Sequence, residues 1–106
     1  MMDASIKLTA PPAKRKEILQ AVKAILGPIR LEQGCIDCHC YVDIEAENSI
    51  YIKEEWESRD DLDAHVRSVH FGILLGAMKL LTEEPEIRFN SIISTTGMEE
   101  LKKLQV

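Results

Sequence analysis

A chain of 106 residues has the length of one domain, and 45% apolar with 29% charged residues is the balance of a folded, soluble protein. A net charge of −5 and only 5% aromatic residues count against a nucleic-acid partner, the densest basic group being Lys14, Arg15 and Lys16. The longest uncharged apolar run, Phe71 to Met78, falls far short of the ~20 residues of a membrane span, and Met1 to Ser5 lacks the basic start of a secretion signal.

Ser5 to Ala10 alternates polar and apolar residues, which predicts a strand ended by Pro11 and Pro12. Proline suits the first turn of a helix, where its missing N–H has no partner to lose. Ile18, Val22, Ile25 and Ile29, widened by Leu19 and Leu26, then predict an amphipathic helix. Gly27-Pro28 should loosen its end, and Glu32-Gln33-Gly34 should make the turn. Ile36, Cys38, Cys40, Val42 and Ile44 recur at every second position, with Cys35, Asp37, His39, Tyr41 and Asp43 in the opposite register. That spacing predicts a half-buried strand. A turn at Glu47-Asn48-Ser49 would join it to a second strand, Ile50 to Trp56.

Ser58-Arg59-Asp60-Asp61 has the form of a capping box. Leu62, Val66, Val69, Ile73 and Ala77 carry a helical stripe from there to about Leu81, with a break expected near Ser68-Val69-His70. Beyond Glu83-Glu84-Pro85, Ile87, Phe89, Ser91 and Ile93 predict a last strand, and Met98 to Leu104 a terminal helix.

The order β-α-β-β-α-β predicts an α+β ferredoxin-like fold over residues 1–106 as a single domain, with both helices on one face of an antiparallel sheet. The other face would carry Tyr41, Tyr51 and Ile92, so a homodimer packed sheet against sheet is expected.

Glu32-x-Gly34-Cys35 opening a strand, Glu54-Glu55-Trp56 closing the next, and Leu62-x-x-His65-x-x-Ser68-x-His70-Phe71 on a helix resemble the antibiotic biosynthesis monooxygenase family. The resemblance implies a dimeric α+β barrel that oxidises a small phenol, anthrone or hydroquinone with O₂, using no metal, flavin or heme. It also implies that His65 faces the pocket. In the heme-degrading branch of this fold an Asn, a Trp and a ligating His would fall near Ile6, His65 and Leu75, so heme chemistry is disfavoured.

His65 and His70 both border the helical stripe, His70 nearer its centre. Either is a boundary histidine or a general base, since imidazole titrates near neutrality and can take the proton of a phenol. His65 is the favoured base, and His70 is expected to matter more for stability. Glu54 and Trp56 share a strand face with Ile50 and Ile52. A carboxylate there needs a partner, so Glu54 either binds an N–H group or orients a histidine, while Trp56 fills core or walls an aromatic ligand. Phe71 joins the expected substrate-binding set.

Cys38 and Cys40 depart from the family pattern. Three cysteines within six residues make no disulfide framework and fit a reducing cytoplasm. Cys38 and Cys40 read as small core residues, as pocket thiols touching a quinone, or as ligands of a thiol-metal site, a rival reading with weak spacing. The leading expectation is a cytoplasmic, cofactor-independent monooxygenase or oxidase with His65, His70 and Glu54 as catalytic groups, Trp56, Cys38, Cys40 and Phe71 as substrate contacts, and no metal. Its main rival is a non-catalytic ligand-binding or stress-response barrel.

Overall fold

Period-two alternation sets four strands: β1 (Met2–Thr9), β2 (Cys35–Asp43), β3 (Ala46–Trp56) and β4 (Glu86–Ser91). In the computed structural model, which describes residues 1–105, they form one antiparallel sheet in the order β2-β3-β1-β4. The helices are α1 (Arg15–Arg30), α2 (Arg59–Val66), α3 (Val69–Met78) and α4 (Met98–Leu104). Ala4, Ile6 and Leu8 of β1 and Ile50, Ile52 and Trp56 of β3 form one side of the core. Ile18, Val22, Ile25 and Ile29 of α1 close over them, with Leu62, Phe71 and Leu74. The expected α+β ferredoxin-like architecture is therefore present, and no helix among the described residues is long and apolar enough to cross a membrane.

Five local features differ from expectation. Helix α1 runs through Gly27 and Pro28 to Arg30, and its last turn tightens, with Leu31 and Glu32 N–H groups reaching back three residues to Pro28 and Ile29. The hairpin turns at Ile44-Glu45, because the Asp43 carboxylate accepts the Glu45 N–H at 2.8 Å and starts the turn itself. Residues 47–49 then leave the β2 ladder as a bulge, and the Asn48 carbonyl accepts from Ala10 instead. A second bulge at Ile36 pairs Cys35 with Trp56 and Cys38 with Glu54, so Cys35 joins Cys38 and Cys40 on the helix-facing side. Finally, α2 ends at Val66 with Arg67 as its cap, and Ser68 caps α3, its hydroxyl accepting from the Phe71 N–H. The helical phase restarts there, so Val69 and Ile73 are exposed while Phe71, Leu74 and Ala77 turn inward.

The outward sheet face is more polar than expected. Tyr41 and Tyr51 lie on it, but among Lys7, Lys53, Glu55 and Arg88. On the opposite, helix-facing side, Ile87 and Phe89 of β4, beside Ile6 and Ala4, stay 39% and 44% exposed, and α4 buries none of its residues.

One turn positions the site. Cys35 N–H bonds the Glu32 carbonyl, and Gly34, third in that turn, has φ +80°, as a type II turn requires. Its carbonyl accepts the Glu57 N–H at 2.8 Å, and a Cβ on it would fall 2.1 Å from the Asp61 carboxylate. Asp61 is held in turn by Ser58, whose hydroxyl accepts the Asp61 N–H and donates to its carboxylate. Gly34→Ala therefore meets both a left-handed backbone and a filled space. We expect it to destabilise the fold by about 1–3 kcal/mol, read as a lower Tm, with Asp61→Ala restoring part of the loss; an unchanged Tm in Gly34→Ala would refute this account of the turn.

Candidate active site

Glu32 leaves the end of α1 in that turn, His65 sits in the last turn of α2, and His70 sits in the first turn of α3. Their side chains meet: Glu32 Oε1 lies 2.8 Å from His65 Nδ1, and Glu32 Oε2 lies 2.8 Å from His70 Nδ1. A carboxylate oxygen can only accept, so both Nδ1 atoms donate to it. On its other side His65 Nε2 stands 3.2 Å from Glu54 Oε1, an ion-pair contact out of line for a hydrogen bond. Glu54 Oε1 also accepts the Trp56 indole N–H at 3.0 Å. Four titratable side chains thus follow one another from core to surface as Glu54, His65, Glu32 and His70.

The His65 side chain is completely buried, stacked on Trp56 at 4.5 Å between ring centroids and met edge-on by Phe71 at 5.4 Å. Burial alone would lower its pKa, but Glu54 and then Glu32 outweigh that and raise it above the ordinary 6.5. Glu54 Oε2 is buried without a hydrogen-bond partner among the described residues, so His65, when protonated, is the group that offsets this carboxylate's charge. His65 therefore lies deeper than its place in the sequence implies, and His70, a third exposed, is the outer ring. The restart of the helix at Ser68 reverses the order that an unbroken stripe would give.

A cavity of about 400 Å³ opens where α2 meets α3, lined by Glu32, His65, Ser68, Val69 and His70, with Asp61 at its edge. Glu54, Trp56 and Phe71 stand behind His65 and do not line it; the face of Trp56 is covered by the imidazole. Cys38 is buried under α1, its thiol pushed up to about 12 by burial and by Glu54. Burial and then Glu54 also raise Cys35, and burial alone raises Cys40. Cys40 lines a different, apolar cleft of about 340 Å³ with Leu19, Val22, Leu26 and Val42. All three cysteines are free thiols, and among the described residues no group of three or more His, Cys, Asp and Glu is arranged to hold a metal ion. Sequence reasoning did not single out Glu32 as a site residue. Its only signal was its place in the Glu32-x-Gly34-Cys35 pattern, since a carboxylate in a turn ordinarily faces water.

A pH dependence follows from His65. Its proton is held more tightly folded than unfolded, so its ion pairs stabilise fully below about pH 6.5 and fade as the pH rises through the folded value. His65→Gln removes the cation between two carboxylates, a loss of about 3–5 kcal/mol for a buried pair. Between pH 6 and 9 the Tm gap between wild type and His65→Gln should be widest at pH 6 and narrow upward; a gap independent of pH would mean that the buried ring is neutral.

The sequence profile of the antibiotic biosynthesis monooxygenases matches residues 1–72. No curated protein matches the sequence. Among solved structures, the chain is similar to a conserved protein of Methanosarcina mazei Go1, with 29% identity over 84% of this chain and 89% of that one and a TM-score of 0.79. It is also similar to a Mycobacterium tuberculosis protein, at 21% identity over 91% and 98% with a TM-score of 0.82. A Deinococcus radiodurans protein provisionally assigned to the antibiotic biosynthesis monooxygenases gives 18% over 92% and 98%, with a TM-score of 0.85. The last two likenesses are of fold. The profile match is of sequence, spans well over half of the chain and takes in Glu32, Glu54, His65 and His70, so the protein belongs to the antibiotic biosynthesis monooxygenase family.

Proposed function

We propose that the protein is a cofactor-independent monooxygenase or oxidase of a small phenol, anthrone or hydroquinone. The observation that carries this reading is the bridging of two imidazoles by Glu32 beside a cavity, with the outer ring reachable from solvent. A base at the cavity takes the hydroxyl proton of a phenol or hydroquinone, or the acidic methylene proton of an anthrone, and the electron-rich anion passes one electron to O₂. Recombination of the radical pair forms a carbon–oxygen bond. Breakage of the resulting peroxide releases one oxygen as water and leaves the other as a quinone carbonyl, so a phenol and O₂ give a quinone and water with no outside reductant. A hydroquinone reacting without recombination gives quinone and H₂O₂. The base is His70, whose ring meets the cavity, with His65 and Glu54 holding charge behind it. Trp56 and Phe71 back His65 and act through it, and Cys38 and Cys40 serve as small apolar packing.

The same reading makes the protein a cytoplasmic homodimer forming an α+β barrel. It rests on the tyrosines of the outward sheet face, the uncovered Ile87 and Phe89, and the detached apolar residues of α4, Met98, Leu101 and Leu104. Sedimentation at micromolar concentration should give twice the 12.0 kDa chain mass; a monomer would overturn this part.

O₂ uptake by metal-free protein over a panel of reduced aromatics tests the activity. Loss of a general base typically costs 10²–10⁴-fold, and we expect a fall of about that size in His70→Ala at matched fold. A wild type that binds an aromatic ligand but consumes no O₂ would make this a binding protein. Uptake that persists in His70→Ala and vanishes in a folded His65→Gln would transfer the role of base to His65.

A further inference from the structure

The break between α2 and α3 sets the two rings of the site in opposite electrostatic surroundings. His65 lies in the last turn of α2, where the helix dipole favours a cation, and has a carboxylate at each nitrogen. His70 lies in the first turn of α3, where the dipole opposes a cation, and has a carboxylate at Nδ1 alone. Glu32 faces both. We infer that Glu32 is a positioning residue that holds His70 as the Nδ1–H tautomer, with its Nε2 lone pair free for a substrate proton, while keeping His65 doubly protonated as a fixed cation behind it.

The charges of the array agree with this assignment. Two carboxylates and one imidazolium leave a single negative charge among the four groups, and one proton arriving at His70 Nε2 makes the set neutral. A proton taken from a neutral phenol is therefore received without creating a net buried charge, and a positive His65, buried just behind the cavity wall, acts on the phenolate left behind through its charge. Were Glu32 an amide, it could accept from one ring only and would have to donate to the other, so one of the two Nδ1 atoms would lose its proton. The remaining charged or titratable groups near the array are Asp61 on α2, which lines the cavity, and Cys35 and Cys38 on β2, with Arg30 beside Cys38. The raised thiols are uncharged at neutral pH, so Glu32 and Glu54 supply the negative charge that the rings meet directly.

This inference rests on the proposed function for its chemistry but is tested without turnover. Long-range ¹H–¹⁵N spectra of ¹⁵N-histidine-labelled protein, assigned with His39→Gln and His70→Gln, report the proton on each ring nitrogen. In wild type at pH 7 we expect His70 to be protonated at Nδ1 alone and His65 at both nitrogens. In Glu32→Gln at least one Nδ1 signal should shift to that of an unprotonated nitrogen, while Glu32→Asp, which keeps the charge, should retain the wild-type pattern for one ring at least. A wild-type His70 protonated only at Nε2, or a neutral wild-type His65, overturns the assignment even if Glu32→Gln does not fold. With an active substrate in hand, Glu32→Gln should lower kcat on the order of 10²–10⁴-fold with little change in KM, the scale of losing a base or its tautomer. The expected spectra together with no O₂ uptake would leave the role of Glu32 standing and remove the oxygenase reading; uptake with the opposite tautomer would do the reverse.

Discussion

An imidazole buried between two carboxylates is an arrangement that few surroundings tolerate. Each ion loses its hydration on entering the protein, and only close opposite charges and hydrogen bonds offset that loss. Glu54 is 2% exposed and points from the sheet into the core, where an unpaired carboxylate would be strongly destabilising. His65 makes it tolerable, and Glu32 and Trp56 complete the set. Much of the nearby local structure serves this contact: the Gly34 turn that delivers Glu32, the Ser58 cap that starts α2, and the aromatic rings on either side of the imidazole.

The elements that alternation and helical spacing mark out are those where one face is buried and the other wet. β1 from Ser5 onward and α1 could be read in this way, as could the break at Ser68, because their sequences carry an uninterrupted period or a cap; α4 buries none of its residues. Where the backbone changes register, a linear reading fails. The bulge at Ile36 moves Cys35 to the face opposite the one its position implies, and the restart at Ser68 exposes Val69 and Ile73. The hairpin followed the Asp43 side chain rather than the polar run four residues later. In the site, the histidines and Glu54 stood out as ionisable residues beside apolar stripes. Glu32 did not, because what distinguishes it is contact with residues 33 and 38 positions away, which no local pattern encodes.

The thiols illustrate how surroundings decide chemistry. A cysteine acts as a nucleophile or metal ligand through its thiolate, which positive neighbours favour and burial opposes. Here burial comes first, and the negative Glu54 adds to it at Cys35 and Cys38. The cluster that looks most reactive in the sequence is thereby kept protonated, in the role of small, deformable packing beneath α1.

The interruption at Ser68 also acts as an angular gearing of the site. On an unbroken helix, two side chains five positions apart diverge by about 140° around the axis, so His65 and His70 could not grip the same carboxylate. Dividing the segment into two separately capped helices lets the second be indexed against the first, and the connecting residues, Arg67 and Ser68, set the angle. A one-residue insertion or deletion at this joint would rotate α3 by roughly 100° relative to its own contacts. The two rings would then be uncoupled with every side chain of the site still present, so the length of this joint belongs to the specification of the site as much as any residue within it.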